Sequence, residues 1–183
     1  MKKLFLLSLA VVTILLSSCD TVSFEKPVPV SNSEIKAFPQ KMRGVYVAKT
    51  DTLRISENKF KFNDKENSLV IQGDLNKDNN VLKKFKKYYI VNIKDSVYWT
   101  AFATYLKKDT LFVYMPDISN YKKIHEQEKD NIYKELNEEF GIKELKKDGK
   151  TLLISNPNDK QLKEMFEKNI FIPVAKFVKI TKK

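Results

Sequence analysis

Residues 97–106 read VYWTAFATYL. Side chains along an extended chain point alternately to opposite faces, which puts Val97, Trp99, Ala101, Ala103 and Tyr105 on one side of this stretch. Tyr98, Thr100, Phe102 and Thr104 fall on the other. Aromatic and β-branched residues suit a pleated surface, so the stretch reads as a strand with two distinct faces. The same signature recurs in RGVYVA, NKFKF, SLVIQG, KYYIVNI, TLFVYM, KTLLIS and the final FIPVAKFVKI.

The strands are punctuated in a similar way. KTDTLRI begins at Lys49, KDSVYW at Lys94, KKDTLFVY at Lys107 and KKDGKTLLI at Lys146. Each sets Lys and Asp ahead of a hydroxyl residue and an apolar run. The Asp carboxylate bonds the backbone nearby and favours turns, so these are hairpin signals produced by local chemistry. Their irregular spacing rules out a solenoid repeat. Short hairpins imply antiparallel pairing.

Two helices are expected. Ile118, Tyr121, Ile124, Ile132, Leu136 and Phe140 recur at helical spacing, and Gly141 supplies a stop. A second helix follows SNPN over residues 159–168, burying Leu162, Met165 and Phe166. The expected fold is α+β: a twisted antiparallel sheet of seven to nine strands, with closure into a barrel left open, and two helices.

The N-terminus is of another kind. Lys2 and Lys3 precede an apolar run from Leu4 to Leu16, interrupted only by Ser8 and Thr13. That run falls short of the roughly 20 residues a bilayer span needs and fits a secretory signal. Leu16-Ser17-Ser18-Cys19 resembles the lipobox of bacterial lipoproteins, and Cys19 is the only cysteine of the 183 residues. The resemblance implies diacylglyceryl transfer to the thiol, cleavage before Cys19 and acylation of the new amino end. One acyl chain holds a protein only marginally and two hold it stably. Residues 1–18 are thus expected to be a signal peptide. Residues 19–36, with Pro27 and Pro29, are expected to be a lipidated cysteine and semi-extended tether reaching up to about 50 Å. Residues 37–183 are expected to form a single globular domain.

The opening RGVY, with Gly44-Val45-Tyr46, resembles the Gly-x-Trp start of lipocalin-type barrels, Tyr standing for Trp. The likeness covers about residues 43–115 and implies a barrel. No second family signature, such as the arginine that packs on that Trp, is matched.

Lys and Arg number 34 against 23 Asp and Glu, for a net charge of +11. Only Arg43 and Arg54 are arginines, so the excess consists of lysine point charges rather than bidentate phosphate forks. With an exported address this argues against nucleic acid as a partner. With Cys19 acylated no internal disulfide can form, and burial alone must stabilise the domain.

Candidate chemistry is sparse. His125 opens HEQEK, but Lys129 stands where a second zinc ligand would, and no other histidine exists, so the usual catalytic zinc set is excluded. A Ser-His-Asp arrangement lacks its nucleophile elbow. Asp74, Asn76 and Asp78 begin like a calcium loop, yet Asn79 replaces its glycine and Phe85 its final glutamate, which favours a polar turn. KKFKKYY from Lys83 suits either anionic headgroups or a solvated loop leading into a strand with Tyr89 and Val91 inward. The carboxylates of 126–139 alternate with lysines and read as a solvated helix face.

Trp99, Tyr98 and Phe102 remain as candidate ligand-binding residues, since pockets are mostly apolar. The small Ala101 and Ala103 leave room for a packed helix or a ligand, of which the helix is the commoner use. These features predict a lipid-anchored, extracytoplasmic binding or accessory module of the bacterial cell envelope, periplasmic or on the outer membrane. Its expected partners are the membrane, through acyl chains on Cys19, and a small apolar ligand or another envelope protein. No catalysis, metal or cofactor is expected. The alternative is a structural or assembly lipoprotein that docks another envelope protein. A cavity of several hundred Å³ facing Trp99 would favour the binding module.

Overall fold

A computed structural model describes residues 20–63, 70–124, 132–147 and 150–180. Residues 1–18, expected to be a signal peptide, together with Cys19 and His125, lie outside the described residues. The strands are β1 (Val22–Phe24), β2 (Glu34–Ile35), β3 (Gly44–Ala48), β4 (Asp51–Ile55), β5 (Lys59–Phe62), β6 (Ile71–Asp74), β7 (Asn80–Phe85), β8 (Tyr88–Asp95), β9 (Tyr98–Lys107) and β10 (Thr110–Pro116). Helices α1 (Ser119–Ile124) and α2 (Ile132–Phe140) follow, then β11 (Ile142–Lys147), β12 (Lys150–Ser155), α3 (Asp159–Glu167) and β13 (Phe171–Lys179).

The fold is α+β, but the sheet is larger than expected and mixed. Among the described residues thirteen strands join one hydrogen-bonded network. A run in the order β2-β7-β8-β9-β10-β13-β3-β4-β5-β6 is antiparallel throughout. The second edge of β9 is shared: β10 pairs with its C-terminal half, and β1 meets it at Trp99. Beyond β1 lie β12, parallel to it, and β11. The expectation of seven to nine strands, all antiparallel, is therefore corrected, and the barrel closure that was left open is not formed among the described residues. No pairing joins β6 to β7 among the described residues, and β1·β12 is parallel.

Three of the four hairpin signals hold as two-residue turns, β3 to β4, β8 to β9 and β9 to β10, with Lys49, Ser96 and Lys108 in the left-handed region at φ 52–54°. The turn of the fourth, at 148–149, lies outside the described residues, while β11 and β12 pair antiparallel on either side of it. A further two-residue turn, with Lys86 at φ 51°, joins β7 to β8 where no hairpin was expected. Val97 therefore belongs to a turn and is exposed, rather than continuing the Trp99 face.

Of the expected first helix, α1 and α2 are described, and residues 125–131 lie outside. Ile118, Tyr121, Ile132, Leu136 and Phe140 are buried as the spacing predicts, whereas Ile124 is 79% exposed. Gly141 follows α2 at φ +65°, a backbone state that suits glycine. Asn158 caps α3 reciprocally. Its Oδ1 accepts from the Gln161 N–H (2.9 Å), and Gln161 Oε1 accepts from the Asn158 N–H (3.1 Å).

The segment expected as a tether is woven into the fold. Val22, Phe24 and Val28 are fully buried. Asn92, also fully buried, treats residue 28 as a neighbouring strand would: its Oδ1 accepts from Val28 N–H, and its Nδ2 donates to Val28 C=O, both at 2.9 Å. The Pro29 carbonyl accepts from Lys83 Nζ (2.9 Å), and β2 pairs with β7. Between β1 and β2 the segment bends repeatedly rather than running extended. What the sequence does not signal is that partners far along the chain wait for it.

The two faces of the sheet carry two cores. One gathers Phe24, Trp99, Ala101, Ala103, Ile118, Leu136, Phe140, Leu162 and Met165 under the helices. The other gathers Phe38, Met42, Tyr46, Leu53, Phe60, Val91, Leu111 and Phe177 between the two halves of the sheet.

Candidate functional site

In β9, Phe102 and Thr104 face away from the helices. Cross-strand partners share a face, so Val91 opposite Phe102 and Val113 opposite Thr104 point the same way. In β5 the alternation of NKFKF sends Phe60 and Phe62 to this side while Lys59 and Lys61 go to the other. These side chains line a cavity of about 250 Å³, completed by Leu53 and Ile55 of β4, Ile71 of β6, Ile93 of β8 and Phe177 of β13. Strands β6 and β8 stand far apart in the strand order yet line one space, so the sheet must curl until its two leaves face each other. Met42, from the short 3-10 turn Gln40–Met42 before β3, and Phe38 just ahead of that turn contribute to the same wall.

A bulge shapes one side. The β10·β13 register shifts between Val113 and Tyr114, leaving Val174 as the extra residue. Bulges re-aim side chains, and here consecutive residues Val174 and Ala175 both line the cavity. Val174 is the most exposed of the lining residues, at 47%. It sits where β13 has no partner on the β3 side, because β13 meets β3 only at Val178 and Lys179. Pro173, which has no N–H to offer a ladder, is tolerated beside this gap.

No lining residue is charged. The single hydroxyl, that of Thr104, donates to the Tyr89 carbonyl at 2.7 Å and so has its partner already. A cavity with no free polar group has nothing to hold water in place. An engineered apolar cavity of about 150 Å³ stays dry and takes up benzene.

At one end of this core Tyr46 is fully buried, and its hydroxyl donates to the Met42 carbonyl (2.8 Å). Lys179 Nζ lies 5.7 Å from the centre of its ring. Burial, with Asp109 adding to it, pushes the Tyr46 phenol above its ordinary 10.0. Gly44 adopts φ +145°, a backbone state that L side chains rarely take, and a Cβ there would stand 2.6 Å from Cε of the flexible Lys179 side chain.

The three candidate residues separate. Phe102 lines the cavity, whereas Trp99 is buried in the helix-side core with Ala101 and Ala103, and Tyr98 is half-buried at the start of β9. The room left by the alanines is thus filled by packing: Ala101 pairs with Asn92, the residue that holds the Val28 segment. The cavity lies on the face opposite Trp99. Phe60, Phe62, Val91 and Phe177 escaped the sequence reading as site residues. Their one signal was alternation, which assigns residues to faces without saying which face is hollow.

The other candidates resolve locally. Asp74 Oδ1 accepts from the Asn76 N–H (3.0 Å), an Asx turn, and Oδ2 lies 3.5 Å from Lys59 Nζ. Among the described residues no three of His, Cys, Asp or Glu gather as a metal-ligand set. Lys83 belongs to a strand, not to a solvated loop, and is 7% exposed; burial lowers its pKa and Glu34 partly opposes this. Lys87 spans Tyr88 and Tyr105, at 5.3 and 4.9 Å from their ring centres.

No helix among the described residues is long and apolar enough to cross a membrane. Comparison with family models, curated proteins and solved structures finds no match.

Proposed function

We propose that this chain is a lipid-anchored, extracytoplasmic binding module whose sheet-enclosed cavity takes a small apolar ligand or the hydrocarbon part of an amphipathic one. The observation that carries the reading is the cavity of about 250 Å³ with no unpaired polar group on its wall. Hydrocarbon loses nothing on entering such a space and gains about 25 cal/mol per Å² of surface withdrawn from water. A polar group entering it would forfeit its hydration without a partner. Selection is therefore by shape and apolarity, with any polar head left at the opening beside Val174. Nothing in this reading calls for catalysis. The anchor reading rests on the lipobox register that ends at Cys19. From the lipocalin resemblance the proposal keeps only an apolar interior, not a closed barrel.

The test is uptake of a fluorescent acyl probe by the purified protein, compared with Ala175→Phe, which projects a ring into the cavity. Saturable uptake lost in this variant, with its thermal midpoint unchanged or raised, is the expected result. Uptake that survives the filled cavity, or no uptake by the natural protein freed of copurifying lipid, refutes the proposal. Palmitate labelling of the natural protein and its absence from Cys19→Ser tests the anchor separately.

A further inference from the structure

On the reading that Cys19 carries acyl chains, we infer that the surface around Asp20 lies directly against the phospholipid headgroups of the membrane that holds the anchor. The argument starts from where the folded body begins. Adjacent Cα atoms are 3.8 Å apart, and the residue after Cys19 is already fixed. The Asp20 carbonyl accepts from the Ile118 N–H at 3.0 Å, and its carboxylate pairs with Lys122 Nζ at 2.6 Å. Thr21 bridges to Asp117, and Val22 enters β1 between β12 and β9. The reach of about 50 Å that a free segment 20–36 would give is gone. No slack separates the modified position from the body.

The surface at that point has the residue types of a bilayer interface. Lys122 and Lys123 end α1 beside Ile124, 79% exposed, and Tyr133 of α2, 37% exposed. Lys122 Nζ lies 5.2 Å from the centre of the Tyr133 ring. Tyrosine and lysine settle at the headgroup level, with apolar side chains reaching inward. The acidic groups beside them are partly engaged: Asp20 by Lys122, and Asp117 by the Ser119 N–H at 2.7 Å. Glu135, Glu138 and Glu139 border the adjoining hollow with Tyr121 and Lys168, and Lys168 pairs with Glu139. Of the charges named on this face five are carboxylates and three are lysines, so attraction to anionic headgroups does not supply the contact. The covalent chains do the holding, and the contact should resist salt.

The experiment uses the acylated full-length protein in phosphatidylcholine–phosphatidylglycerol vesicles. With Cys19 acylated, an introduced cysteine is the only free thiol. A nitroxide is placed at Lys123→Cys or, on the far leaf of the sheet, at Glu57→Cys, and collision with a nickel chelate carried on lipid headgroups is measured. The expected result is collision several-fold more frequent at position 123 than at 57. Inserting twelve Gly-Ser residues between Cys19 and Asp20, an r.m.s. length of about 20 Å, should abolish the difference while the protein still floats with the vesicles. Equal collision at the two positions without the insert, or a difference that survives it, overturns the inference with the anchor intact. Failure to float with vesicles overturns the anchor reading and the inference together.

Discussion

The core around Phe24, Leu136 and Phe140 and the core around Leu53, Val91 and Phe177 lie on opposite faces of β9, and they are closed by different means. On the helix side, three helices and the N-terminal strand supply side chains from separate elements, each free to settle into whatever gap remains. On the other side the sheet covers itself. Two leaves joined through β13 and β3 cannot adjust independently, and twisted sheets facing one another diverge toward their corners. The filled core holds the fold. The incompletely filled one holds the candidate site.

Truncation tests this contrast most severely. Phe24 is fully buried and stacks near Phe171 at 6.4 Å between ring centres, so Phe24→Ala should cost about 3–5 kcal/mol. Phe102 already borders empty space and solvent, so Phe102→Ala should cost well under half as much. Urea unfolding of both variants measures the two values, and equal costs would erase the distinction between the cores.

Asn92 comes next. Without its amide, the N–H and C=O of Val28 lose their partners in a buried setting, at a cost of about 1–3 kcal/mol for Asn92→Ala. Limited proteolysis at Lys26 should accelerate in parallel. An unchanged rate would mean that the segment is held by β1 alone.

Enlargement should separate the cores by sign. Ala103→Leu forces extra carbon atoms into a fully buried position and should destabilise by about 1–3 kcal/mol. Ala175→Leu projects toward the cavity and should be neutral or stabilising. Thermal midpoints of the pair decide it.

The smallest expected effect concerns pH. Burial first, then the carboxylates of Glu139 and Glu135, push the Tyr121 phenol well above its ordinary 10.0. Above about pH 10 the unfolded chain gives up this proton while the folded chain keeps it, so the unfolded state binds fewer protons and stability falls as pH rises. Tyr46 contributes in the same direction from the other core. Tyr121→Phe should flatten the alkaline decline in the urea midpoint between pH 9 and 11. A decline of unchanged slope would mean that other groups carry it.

How far the sequence was legible follows from the range of each interaction. The Lys–Asp hairpins, the alternation of 98–106 and the start of a helix after SNPN depend on neighbours within a few residues, and each could be read directly. Val22–Phe24 could not, because three residues ahead of Pro27 carry no periodicity and their partners are Leu153–Ser155 and Trp99. The same limit explains the site. Alternation put Phe102 and Trp99 on opposite faces, but which face received helices depended on connections beyond β10. Aromatic bulk drew attention to Trp99, while Val91, Ala175 and Phe177 had nothing local to set them apart.

The parallel pairing of the first strand with β12 also orders events in time. A chain synthesised amino end first presents Val22–Phe24 long before Leu153–Ser155 emerges, so the earliest segment to arrive is among the last to find its place. Contacts so distant along the chain slow folding. Until β12 arrives, this strand is a greasy, unpaired edge, and its safe keeping through synthesis is a demand that this topology places on the cell rather than on the finished molecule.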